Sequence, residues 1–214
     1  MNSDIVSYYK ARAKEYEKIY NKPERQDDLL LAGQILQDTF AGKEVVEIAC
    51  GTGYWTQKIS ATASKILATD INDTVIEVAK AKNYPPAKID FQTADLFNLA
   101  NTNRHESLFA GFIWSHIKLQ ELKSFIDKVN SLVRNSGTIV FMDNNYVEGS
   151  NHPLTEKDDL GNTYQTRTLE NGTIHKVLKN FPTETFIRQL MTDKATDINF
   201  INLQYYWILK YQNI

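Results

Sequence analysis

The stretch Val45-Val46-Glu47-Ile48-Ala49-Cys50-Gly51-Thr52-Gly53-Tyr54-Trp55-Thr56 constrains this chain more than any other. Val45, Val46 and Ile48 form a short β-branched run of the kind that sits in a buried parallel strand, and Gly42 ends what precedes it. Two glycines then follow at spacing two. With no Cβ, Gly51 and Gly53 let the backbone turn sharply, take positive φ and admit a ligand against the main chain. A helix over about residues 54 to 62 would aim unpaired N–H groups at that ligand, which suits a negative end.

A glycine pair after a strand occurs in many α/β domains, so its surroundings decide what it means. Ser64 to Asp70 reads as the next strand and ends in a carboxylate 19 residues after Gly51, where a βαβ unit places an acid against ribose hydroxyls. A third strand, Lys88 to Gln92, leads into Thr93-Ala94-Asp95-Leu96 and puts a second acid at the mouth of the next loop.

Glu47-Ile48-Ala49-Cys50-Gly51-Thr52-Gly53, Asp70 and Ala94-Asp95-Leu96 together resemble the first motif, the ribose acid and the adenine-contacting step of the class I S-adenosylmethionine (SAM) dependent methyltransferases. The resemblance runs from about Val45 to Asn145. It implies an α/β fold, Rossmann-like, with a seven-stranded, mostly parallel sheet, helices on both faces and an N-terminal helical lid; beyond Tyr146 the pattern departs from that minimal fold with a β-hairpin insertion after the fifth strand. It implies SAM as cofactor, S-adenosylhomocysteine (SAH) as product, and Glu47, Ala49, Gly51, Gly53, Asp70, Ile71, Asp95, Leu96 and Trp114 as cofactor-binding residues. A nicotinamide-dinucleotide fingerprint would need a third glycine where Thr56 stands.

At 214 residues the chain is most simply one domain, with N-terminal helices over 1–40, a cofactor-binding core over 43–145, a loop and hairpin over 146–180 and a helix with a strand pair over 181–214. With 24 basic and 26 acidic residues its net charge is -2, so no global field recruits nucleic acid. The single Cys50 excludes an internal disulfide and fits a reducing cytoplasm. Met1-Asn2-Ser3-Asp4 opens no signal peptide, and no apolar stretch approaches a membrane span. A cytoplasmic protein, monomer or homodimer, is the expectation.

Ser3-Asp4 is read as the cap of a helix running to about Tyr20. Its aromatic, polar-tipped face is either an ordinary amphipathic surface or, as the resemblance implies, a lid in which Tyr9, Arg12 and Tyr16 meet the cofactor's methionine end and the substrate. Asp27 to Phe40, with Leu29, Leu30, Ile35 and Leu36 apolar, reads as a second helix, and Asn72-Asp73 as the cap of one over about 74 to 82 that Tyr84-Pro85-Pro86 ends. Phe109 to Trp114 is the expected fourth strand, 118 to 134 a helix and Gly137 to Met142 the fifth strand. After an ordered loop over 147 to 162, Thr163 to Leu169 and Thr173 to Leu178 form a hairpin around Asn171-Gly172. A helix from Pro182 to about Met191 and strands over Asp197 to Leu203 and Tyr205 to Tyr211 complete the chain.

Residues just past the strands are the ones to interrogate in such a sheet. His116 is a helix-cap or surface histidine, or a general base, since imidazole titrates near neutrality. Trp55, Asn144, Tyr164 and Arg167 are candidate substrate contacts, as are His175 and Lys176, unless the hairpin residues form its solvated face. No Cys/His cluster for a metal and no phosphate-loop GK[ST] is present. The leading reading is methyl transfer to a small molecule. Methylation of RNA or protein, a non-catalytic nucleoside-binding protein and a nicotinamide oxidoreductase are the alternatives.

Overall fold

The structure, a computed structural model, describes residues 3–13, 15–85, 88–100 and 105–214. Its centre is a seven-stranded sheet whose parallel part comprises β1 (Glu44–Ile48), β2 (Lys65–Asp70), β3 (Lys88–Thr93), β4 (His105–Gly111) and β5 (Val133–Asn144). A separate three-stranded sheet follows, made of β6 (Glu156–Lys157), β7 (Thr163–Thr168) and β8 (Ile174–Leu178). The last strands, β9 (Ala195–Asn202) and β10 (Tyr206–Asn213), return to the main sheet. The main sheet runs β3-β2-β1-β4-β5-β10-β9, with β10 antiparallel to both neighbours. The order reverses between β1 and β4, and such a switch point opens a crevice at the carboxyl ends of the strands.

Alternation along the strands builds a core on each face. Val46 and Ile48 of β1, Ile139 and Phe141 of β5, and Trp207 and Leu209 of β10 pack against α5 (Leu122–Leu132) and α6 (Glu184–Met191). Val45, Val140, Met142 and Ile208 turn the other way, onto α2 (Gln26–Phe40), α3 (Tyr54–Ile59) and α4 (Asp73–Lys80). The Asn72 side chain accepts from Thr74 N at 3.1 Å and caps α4 as the sequence predicts. On α2, however, Leu30 is 78 % exposed, and Leu29, Ala32, Leu36 and Phe40 form the inward stripe.

Several elements differ from expectation, among them β5, which starts at Val133 and not at Gly137. The N-terminal helix, α1 (Ser3–Arg12), stops eight residues early, and the chain continues as a 3-10 turn over Tyr16–Asn21. One straight helix cannot serve both destinations of its aromatic residues. Ile5 and Tyr8 pack with Leu169 and Val177 of the hairpin region, whereas Tyr16, Ile19 and Tyr20 pack against the main sheet. The capping role read for Ser3 and Asp4 lies outside the described side chains. Strand β4 starts and ends earlier than predicted, and Trp114–His116 forms a 3-10 turn beyond it, because Phe112 takes a left-handed backbone (φ 59°) that breaks the strand. The expected hairpin also gains β6 as a third strand, Glu156 pairing with Tyr164 and Lys157 with Thr163.

Candidate active site

The glycine loop is set by the end of β1. Ala49 there has φ 54° and Gly51 φ 55°, and Phe112 has φ 59° just past β4 on the adjacent strand. A left-handed non-glycine residue costs on the order of 1 to 2 kcal/mol, and two of them on neighbouring strand ends mark where packing is sacrificed to shape a cleft. A Cβ built on Gly51 meets nothing within 4 Å, so its missing side chain leaves ligand space. Gly53 differs. Its Cβ would come within 2.5 Å of the Tyr84 hydroxyl and 3.0 Å of Ala79 Cβ, so this glycine lets α3 close on α4. Gly53, read from the sequence as a cofactor contact, lies outside the lining of the main cavity.

The crevice is a cavity of about 860 Å³ including its mouth, lined among others by Ala49, Gly51, Asp70, Ile71, Asp95 and Leu96. Asp70 Oδ2 accepts from Gly51 N at 3.0 Å and its Oδ1 from Asn72 N at 2.9 Å, so the carboxylate pins the loop while facing the cavity. Burial raises its pKa above the ordinary carboxylate value, with those backbone donors opposing the rise. Asp95 stands at the start of a 3-10 turn. Oδ1 caps the 3-10 turn over Leu96–Asn98 by accepting from Phe97 N at 3.0 Å, and the residue also lines the cavity.

Ile5, Val6 and Tyr9 of α1 form the roof of this cavity, and Tyr16 joins them. The following turn is fastened to the glycine loop: Thr52 Oγ1 donates to Glu17 at 2.6 Å, Lys82 also pairs with Glu17, and the Tyr20 ring stacks on Tyr54 at 3.8 Å. Trp55, read as a substrate contact, instead donates from Nε1 to the Tyr20 hydroxyl at 3.1 Å and is buried in this packing.

His116 lines the cavity and is 7 % exposed. Its Nδ1 lies 2.7 Å from the Leu178 carbonyl, which fixes the proton there and leaves Nε2, 2.8 Å from the Tyr9 hydroxyl, as an acceptor. Burial, then the nearby Lys179 charge, pushes its pKa well below 6.5, so the ring is neutral at physiological pH. Trp114, two residues earlier, points away from the cavity and is buried among Phe125, Phe141 and Trp207, which corrects its reading as a cofactor contact.

A second cavity, about 560 Å³ including its mouth, adjoins the first across Tyr9, Tyr16 and Phe112. Arg12, Asn144 and Arg167, three of the candidate substrate contacts, line it. Tyr164 does not, since its hydroxyl donates to Asp158 at 3.0 Å. His175 packs edge-on to Tyr8 and Lys176 pairs with Glu156, so both also fall outside the cavity lining. Sequence reasoning missed Lys22, Arg25, His152, Gln165 and Lys179, which come from separate elements and carry no local pattern. Lys179 is 3.0 Å from Asp143 and 2.6 Å from Ser115 Oγ, a buried network that binds the end of β8 to the ends of β4 and β5.

Glu47 sits behind the loop, on the face of β1 that Val45 gives to the core, and does not line the main cavity. Its Oε2 has no hydrogen-bond partner among the described residues, and its pKa is pushed up to about 8, by burial first, with Thr56 opposing and Asp70 adding. Between the ordinary 4.5 and about 8 the unfolded chain releases a proton that the folded protein keeps, so folding stability falls as pH rises through that window. Glu47→Gln is therefore expected to gain up to about 4 kcal/mol at pH 8 and little at pH 4.5, read from urea unfolding midpoints. Equal stability changes at both pH values would contradict this account of Glu47.

A family profile described as a methyltransferase domain matches residues 45–137, the span from β1 to the start of β5. Over that span the sequence is similar to methyltransferase domains. No curated protein sequence matches it significantly. Among solved structures, a DhpI–SAH complex aligns over 97% of this chain and 94% of its own at TM-score 0.80 and 22% identity. A DhpI–SAM–HEP complex aligns over 98% and 96% at TM-score 0.77 and 23% identity. The N-methyltransferase NodS from Bradyrhizobium japonicum, in complex with S-adenosyl-L-homocysteine, aligns over 99% of both chains at TM-score 0.67 and 12% identity. At these identities the likeness is one of fold, and it spans the hairpin insertion and terminal strands of the chain as well as its central sheet. No helix among its described residues is long and apolar enough to cross a membrane.

Proposed function

We propose that this protein is a methyltransferase that transfers a methyl group from SAM to a small-molecule acceptor enclosed between α1 and the inserted hairpin. The observation that carries the reading is the pair of adjoining cavities, one faced by Asp70, Asp95 and the Gly51 backbone, the other walled by polar and cationic side chains. The donor set suits a nucleoside: Asp70 retains lone pairs for ribose hydroxyls, Asp95 for the adenine amine, and Ile71 and Leu96 supply apolar flanks. Solved structures of similar fold with SAM or SAH bound support the same cofactor here.

Bound SAM would supply an electrophilic methyl on a positively charged sulfur. The chain's own task is then to align the acceptor, exclude water and take up its proton. Tyr9 and His116 suit the last role. An acceptor O–H or N–H that donates to the Tyr9 oxygen would pass its proton there while the phenolic proton moves to His116 Nε2, where burial and the Lys179 charge oppose the imidazolium and Asp143 favours it, so the proton is passed on and not stored. Enclosure favours a compact acceptor over RNA or protein, which would require an open groove.

Incubation with methyl-labelled SAM and fractionated cell extract tests the reading. Label is expected in low-mass products, and Tyr9→Phe should lower that turnover by roughly a hundredfold while leaving SAH affinity unchanged. Label found only in RNA or protein would refute the small-molecule assignment, and undiminished turnover in Tyr9→Phe the proton path.

A further inference from the structure

The two cavities differ in charge. Among the described residues no lysine or arginine lines the first, whereas five lysine and arginine side chains and no carboxylate line the second. Of the five, Lys179 is neutralised by Asp143 at 3.0 Å, and Lys22 lies 4.0 Å from Glu24. Arg12, Arg25 and Arg167 form no direct ion pair with a carboxylate among the described residues, although Glu24 faces Arg25 across Ser150 Oγ, which donates to Glu24 at 2.7 Å. Two of these are deeply placed: Arg25 is 5 % exposed and Arg167 8 %.

Their hydrogen-bond partners are neutral. Arg25 donates from Nε to Ser150 Oγ at 2.9 Å, from one terminal nitrogen to Asn144 Oδ1 at 3.2 Å and from the other to the Ser150 carbonyl at 3.1 Å. Arg167 donates to Gln165 Oε1 at 2.7 and 3.2 Å and to the Tyr8 hydroxyl at 3.4 Å. Such dipoles fix each guanidinium in place without cancelling its charge. Buried charge is normally paired, and a cluster of oriented arginines without a direct carboxylate partner is the arrangement that recognises oxyanions. His152 on the same wall responds to that field: burial first, then Arg167, Arg12 and Lys22, lowers its pKa below the ordinary imidazole value.

We propose that the methyl acceptor carries an oxyanion, a carboxylate or a phosphate, which Arg25 and Arg167 hold with Arg12 completing the cationic wall. The proposal rests on the methyltransferase reading above and names the chemical class of its acceptor. An anion anchored there would present the rest of a small molecule toward Tyr9, Tyr16 and Phe112, the residues shared with the first cavity.

Calorimetric titration of the SAH-saturated protein with inorganic phosphate and, separately, with acetate at constant ionic strength tests this. Binding of at least one probe in the millimolar range or tighter is expected, weakened at least tenfold in Arg167→Gln and in Arg25→Gln, with SAH affinity held within twofold. Phosphate alone would assign a phosphate-bearing acceptor, acetate alone a carboxylate. Binding of neither probe would overturn the proposal, as would a parallel loss of SAH affinity, which would assign the arginines to the cofactor's own carboxylate. If a buried arginine variant fails to fold, the partly exposed Arg12→Gln and the wild-type titration still decide. Absence of SAH binding in the wild type would instead mark failure of the methyltransferase reading itself.

Discussion

Asp70→Ala is expected to weaken SAM and SAH binding at least tenfold while the sheet stays folded. The carboxylate has two tasks at once. It holds the glycine loop through Gly51 N and the start of α4 through Asn72 N, at 3.0 and 2.9 Å. Its remaining lone pairs face the cavity, where two ribose hydroxyls would each gain a charge-assisted bond worth roughly 1.5 to 3 kcal/mol. Alanine removes both tasks, whereas Asp70→Asn keeps an acceptor for the loop and loses the charge, so the difference between the variants separates loop positioning from ribose recognition. Calorimetry showing unchanged affinity in folded Asp70→Ala would remove this residue from the site.

Deletion of residues 1–12 is expected to lower turnover by at least a hundredfold without unfolding the sheet. Helix α1 contributes to neither main core; its Ile5 and Tyr8 belong to a small cluster with Leu169 and Val177. It nevertheless supplies Ile5, Val6 and Tyr9 to the roof and the hydroxyl that meets His116. Elements held by few buried contacts are the ones that open at low free-energy cost, and a roof that opens admits ligand and then excludes water. Hydrogen exchange should therefore be fast over residues 3–12 in the free protein and slowed by SAH. Residues Tyr16–Asn21, fastened through Glu17 and Tyr20, should be protected in both states. Full activity in the truncated protein, or equal exchange of residues 3–12 with and without SAH, would make α1 a fixed structural element.

Signals that are local in the chain were legible before the structure. A β-branched run, two glycines and an acid at the next strand end locate the crevice because each acts within its own βαβ unit, and the hairpin declares itself through Asn171-Gly172. Misreadings arise where long-range packing overrides local pattern. Tyr9, Tyr16 and Tyr20 share a helical spacing, yet the hairpin and the main sheet claim different ones, and the helix ends between them. Trp114 looks like a strand-end contact until Phe112 turns the backbone and sends it into the core. Gly53 resembles a ligand glycine but makes room for Tyr84 and Ala79. The cationic wall could not be foreseen, because Arg25, Arg167 and Lys179 meet only after the chain has folded the insertion back over the sheet.

The central claim is that the crevice between β1 and β4 is a SAM site. Isothermal titration of the purified protein with SAH and, in parallel, with a nicotinamide dinucleotide tests it most directly. One SAH site per chain and no binding of the dinucleotide are expected. No binding of SAH, or binding of the dinucleotide in its place, would contradict it.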